Sequence, residues 1–191
     1  MKIISEENFI KELEKKYSIH NSLIISNDKT LKNKTNLKTF TINELCEYLI
    51  KKSPLLFTPY ITSKHECIFI INSLIKDIFK KNNALFNLTK TPLFSKEIHN
   101  IFKTFYNSSI NPEILKNCIK KNDLSEEDFN RLNLILEVYE EYTKQLKEQK
   151  IIDHENLCNE TVDILQKNSR HLEIVKENCQ NILIDNSIEL T

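Results

Sequence analysis

Glycine is absent from all 191 residues, where an average share of about 7% would supply roughly a dozen. A loop that cradles phosphates needs backbone amides close to the phosphate oxygens, in conformations that glycine alone adopts cheaply. A Walker A loop and a GxGxxG turn are therefore excluded, and so is a nucleophile elbow of the G-x-S-x-G kind. The chain is rich in Lys, Asn and Ile, a bias that accounts for rare glycine better than for none. An excess of charge is missing too, because 27 Lys and Arg offset 27 Asp and Glu. Any nucleic-acid contact must then come from a local patch.

No apolar run approaches the ~20 residues needed to span a bilayer. The N-terminus turns polar at once after Met1-Lys2-Ile3-Ile4, without the apolar core of a secretory signal. These two absences lead us to expect a cytoplasmic protein with no membrane partner. The five cysteines, Cys46, Cys67, Cys118, Cys158 and Cys179, are scattered and lack CxxC spacing, which argues against a zinc site and a disulfide framework. Mostly buried thiols are expected. His20, His65, His99, His154 and His171 show no metal-ligand or triad spacing, so no chemistry, metal or cofactor is assigned to them.

What is present is a punctuated helical pattern with short apolar runs at its two ends. Ser5-Glu6-Glu7 opens a helix to about Tyr17, and Ser22–Ser26 has the length and apolarity of a buried strand. Asn27 to Asn36 reads as a lysine-rich loop or frayed helix, and Leu37–Phe40 as a second strand. Thr41-Ile42-Asn43-Glu44 and Ser63-Lys64-His65-Glu66 are capping boxes, each starting a helix. Further helices begin at Ser95, at Asn111-Pro112-Glu113, at Ser125, at Asp153 and, briefly, at Ser169. The longest runs from Ser125 to about Gln149, with a stripe of Phe129, Leu132, Ile135, Leu136, Tyr139, Tyr142 and Leu146 that reads as core. Asn181–Asp185 is the last strand. The expected fold is mainly α with a small parallel β element, an α/β core at residues 1–40 and 179–191 around an all-helical block at 41–178. An all-helical bundle whose terminal strands pair with each other remains the alternative.

Three stretches resemble UvrD-type superfamily 1 helicases. Lys38-Thr39-Phe40-Thr41-Ile42-Asn43-Glu44-Leu45-Cys46 is similar to that family's "TFHSFC" strand-to-helix motif. Tyr139-Glu140-Glu141-Tyr142, followed by Ile151-Ile152-Asp153-His154-Glu155-Asn156-Leu157, resembles the end of its helical 1B insertion. Ile182-Leu183-Ile184-Asp185-Asn186-Ser187-Ile188-Glu189-Leu190-Thr191 resembles its Walker B motif, "ILVDEFQDT". The block between, with its stretch at Pro54 and Ile110-Asn111-Pro112-Glu113-Ile114-Leu115, looks closest to the AddB-like branch, whose helicase portion is catalytically degenerate and pairs with an active helicase–nuclease subunit.

The resemblance implies a fragment of a RecA-like P-loop NTPase fold carrying a large helical insertion. It also implies contact between Thr39-Phe40 and single-stranded DNA, beside Lys29, Lys32, Lys34 and Lys38 as a track for the DNA backbone. Each of these has a plainer reading, as a strand end, a core aromatic and solvated loop lysines. Catalysis is not expected. A working Walker B pair uses one carboxylate for magnesium and a second to position water, whereas this chain offers Asp185-Asn186, with Ile188 where the family has glutamine and no phosphate loop. Asp185 is then a relic and not a metal ligand. The second RecA-like domain would follow Thr191, so the sequence reads as an excised domain or a truncated copy. The expected role is non-catalytic, binding single-stranded DNA or a helicase–nuclease subunit in recombinational repair; the alternative is a helical protein-interaction scaffold.

Overall fold

The computed structural model describes residues 6–17, 22–28, 30–52, 58–79, 92–167, 172–173, 176–177 and 179–185. Lys29, Asn186, Ile188, the Pro54 stretch and Ser169 lie outside them. The chain divides into two compact units, Met1–Thr58 with Glu160–Thr191, and Pro59–Asn159. Among the described residues no helix is long and apolar enough to cross a membrane.

The first unit contains α1 (Glu6–Lys16), β1 (Ser22–Ile25), the one-turn α2 (Leu31–Lys34), β2 (Lys38–Phe40), α3 (Ile42–Lys52) and, near the end of the chain, β5 (Asn181–Ile184). Its three strands form a parallel sheet in the order β2-β1-β5. The registers pair Ile25 with both Phe40 and Ile184. This side-by-side parallel arrangement is the one expected of the α/β reading, and the terminal antiparallel pairing of the alternative does not occur. Ser22, Leu23 and Ile24 of the central strand are all buried, the near-continuous burial of a strand covered on both faces. At the end of β2 the Thr41 capping box forms as read: Glu44 accepts from the Thr41 amide at 2.8 Å and the Thr41 hydroxyl accepts from the Glu44 amide at 3.3 Å. Helix α3 therefore starts one residue past the strand and buries Cys46 and Ile50. The α/β unit thus takes in residues up to 58, beyond the boundary drawn at 40. Glu14 of α1 accepts from the Asn36 amide at 2.6 Å and the Thr35 hydroxyl at 2.9 Å. These bonds, the amide's foremost, hold its carboxyl below the usual range.

The second unit is not all-helical. It contains β3 (Tyr60–Thr62), α4 (Lys64–Phe79), α5 (Pro92–Asn107), α6 (Pro112–Lys121), α7 (Glu126–Glu148), β4 (Ile151–Asp153), a single 3-10 turn at His154–Asn156 and the start of α8 (Leu157–Lys167). Strands β3 and β4 pair in parallel, Tyr60 against Ile151 and Thr62 against Asp153. Neither three-residue run carries enough periodicity to be recognised alone, and each finds its partner some ninety positions away. Helix α5 begins three residues before Ser95, with proline in its first position, a placement that costs no hydrogen bond.

The core joins α4, α5, α6 and α7. Phe102 is fully buried between Tyr139 and Tyr142, at centroid separations of 4.7 and 5.4 Å. The α7 stripe is core as read, except for Phe129, which is exposed. The cysteines depart from expectation: Cys46 and Cys67 are buried, Cys118 is exposed, and Cys158 and Cys179 are half-buried. Two turns show the cost of a chain without glycine. Ser109, after α5, and Lys150, after α7, hold φ of 53° and 55°, left-handed positions that helix ends usually fill with glycine.

Candidate functional site

Each strand of the first sheet ends at the same edge, and together they deliver Ser26, Phe40 and Asp185 there. The ladder continues one step past the strands, with the Ser26 amide donating to the Phe40 carbonyl at 2.9 Å and the Asp185 amide to the Ile25 carbonyl at 3.0 Å. The Ser26 hydroxyl then donates to Asp185 Oδ2 at 2.6 Å, and its oxygen accepts from the Asp28 amide at 2.9 Å. Asp28 turns the chain by accepting from the Thr30 amide and hydroxyl, at 2.8 and 2.9 Å. Those two bonds lower its carboxyl, the amide's more strongly, against burial and the like charge of Asp185, which raise it. Two carboxylates thus share this edge. Asp185 is half-buried and Ser26 buried, so the strand-end carboxylate is positioned by the sheet yet keeps contact with solvent.

Beside this edge lies a second group. Along β2 the side chains alternate: Thr39 is buried, with its hydroxyl donating to the Leu37 carbonyl at 3.3 Å, while Lys38 is exposed and Phe40 half-buried. Lys38 and Phe40 share one face, as residues two apart on a strand must. Helix α3 returns over that face and sets Tyr48 against Phe40, with ring centroids 5.2 Å apart. Two cations flank the tyrosine, Lys38 Nζ at 5.8 Å and Lys52 Nζ at 6.0 Å from its centroid. An aromatic pair with two ammonium groups beside it is equipped to stack a planar base and neutralise the adjacent phosphates.

Of the predicted DNA-contacting residues, the fold brings Lys38 and Phe40 together and turns the Thr39 side chain inward. Lys32 belongs to α2, and Lys29 lies outside the described residues. Tyr48 and Lys52 were missed. Their only signal is position on α3: they sit four residues apart, hence on one helix face, and the capping box fixes where that helix begins.

The family model for the UvrD/REP helicase N-terminal domain matches residues 7–187. No curated protein matches the chain.

Proposed function

The chain belongs to the UvrD/REP helicase N-terminal domain family, and from that premise we propose that it is a non-catalytic helicase-like module that binds single-stranded DNA. The first unit is then part of a RecA-like core, and the second its helical insertion. One observation carries the reading: the Phe40 and Tyr48 rings pack together, tilted, beside Lys38 and Lys52 at the end of β2. Base stacking on such aromatics contributes about 1–3 kcal/mol per base and tolerates any sequence. Lys38 acts here through its exposed ammonium and Phe40 through the uncovered part of its half-buried ring, and Thr39 by fixing the strand that presents them. By the family resemblance, Lys29 and Lys32 are further candidates for phosphate contact.

The non-catalytic half of the proposal rests on chemistry. With no glycine in the sequence, none of its loops is built to cradle the β- and γ-phosphates, and without those phosphates Asp185 lacks the other half of a magnesium shell. Asn186 cannot take a proton from water as a glutamate would. By the AddB-like resemblance, an active helicase–nuclease subunit is the protein partner and recombinational repair the setting.

Fluorescence anisotropy of a labelled single-stranded oligonucleotide, titrated across a salt series, tests this. Wild type should bind more weakly as salt rises, Phe40→Ala/Tyr48→Ala should bind roughly tenfold or more weakly, and removing Lys38 should flatten the log–log salt slope by about 0.7. A folded sample that ignores DNA at low salt would move the function to protein contact, and DNA-stimulated phosphate release would overturn the non-catalytic assignment.

A further inference from the structure

The second sheet ends in a cluster that DNA binding does not use. β3 ends at Thr62 and β4 at Asp153, paired in register; α4 brings Cys67, α5 brings His99 and α7 brings Tyr142. Cys67, His99 and Asp153 are all buried, with 0%, 1% and 1% of their surface exposed. One ligand atom from each, the thiol sulfur, a ring nitrogen and a carboxylate oxygen, lies within 4.8 Å of the others. We propose that Cys67, His99 and Asp153 bind a single divalent cation of borderline softness, best matched by zinc.

Three observations converge on this assignment. Both ring nitrogens of His99 lack a hydrogen-bond partner although the ring is fully buried. A buried polar side chain is ordinarily satisfied, and an unpartnered imidazole nitrogen within 4.8 Å of a sulfur and a carboxylate oxygen is a ligand in waiting. Second, the donor set is thiolate, imidazole and carboxylate, the mixture that zinc takes at about 2.0–2.3 Å. Tetrahedral geometry then places ligand atoms about 3.4 Å apart, so closing on an ion asks for side-chain adjustments of about 1 Å.

Third, the surrounding groups orient the ligands. Tyr142 donates its hydroxyl to Asp153 Oδ2 at 2.8 Å, and the Glu155 amide donates to Oδ1 at 2.9 Å. The Thr62 hydroxyl sits 2.9 Å from the Cys67 sulfur. Outer partners of this kind fix ligand geometry in metal sites. A carboxylate with 1% of its surface exposed is costly to keep charged and cheaper beside a cation. The ion would tie α4, α5 and β4 together across the unit, as a structural staple independent of the DNA-binding face. No sequence spacing announces the site because each ligand comes from a different element.

Cobalt titration of the full chain, first stripped with a chelator, tests the proposal. Wild type should take up one equivalent of Co²⁺ with a thiolate-to-cobalt charge-transfer band and intense tetrahedral d–d bands, zinc should bleach both, and zinc should raise the melting temperature by several degrees. The charge-transfer band should vanish in Cys67→Ser and persist in Cys118→Ser, and the zinc-dependent melting shift should be lost in His99→Gln. Should the core variants fail to fold, wild type and Cys118→Ser still decide. A folded wild-type chain that shows no charge-transfer band, or a band lost in Cys118→Ser, overturns the site.

Discussion

Asp185 and Asp153 occupy equivalent places in two different parallel sheets. Asp185 immediately follows β5 and Asp153 ends β4. A serine hydroxyl donates to Asp185, whose side chain is half-buried; the Tyr142 hydroxyl donates to Asp153, deep among aromatic rings. The same backbone device thus delivers a carboxylate toward solvent in one unit and into a closed core in the other. Its surroundings, more than its place in the strand, decide what each can do. The first edge is open to a ligand from outside. The second can only hold the unit together, whether through its hydrogen bonds alone or through a buried ion.

This contrast can be broken most severely at the closed edge. Phe102→Ala removes the ring against which Tyr139 and Tyr142 pack and should destabilise the second unit by about 3–5 kcal/mol, read as a lowered urea midpoint. Tyr142→Phe keeps the ring but takes the donor from Asp153, and should cost about 1–3 kcal/mol. If it costs nothing, the Tyr142–Asp153 bond does not hold the closed edge. The smallest effect has the opposite sign. Lys150 holds a positive φ immediately before β4, so Lys150→Gly should stabilise by about 0.5–1 kcal/mol, visible as a raised midpoint with unchanged slope.

Much of the open edge was legible in the sequence, because its signals are local. An apolar run ending in Asp185, a capping box directly after Phe40 and a central apolar strand each announce themselves within a few residues, and the parallel sheet follows from them. The closed edge was hidden for the opposite reason. Tyr60–Thr62 and Ile151–Asp153 are too short to show alternation, and the pairing that makes them strands is long-range. Tyr142 and Asp153 were read separately, as a core aromatic and a helix start, and only the resemblance set them in one motif. His99 read as an ordinary helical residue because its neighbours in space come from other elements. Tyr48 was overlooked likewise: helical periodicity gives its face on α3, but only the return of that helix over β2 sets it on Phe40.

Urea unfolding of Asp153→Ala and Asp185→Ala, measured side by side against wild type, tests the contrast most directly. Loss of Asp153 leaves the Tyr142 hydroxyl and the Glu155 amide without their acceptor and should cost roughly 2–5 kcal/mol, whereas loss of Asp185 takes an acceptor from the Ser26 hydroxyl at a half-buried edge and should cost less, about 1–2 kcal/mol. Equal shifts in the two variants, or a larger one for Asp185→Ala, would contradict the distinction between an open edge that binds and a closed edge that holds.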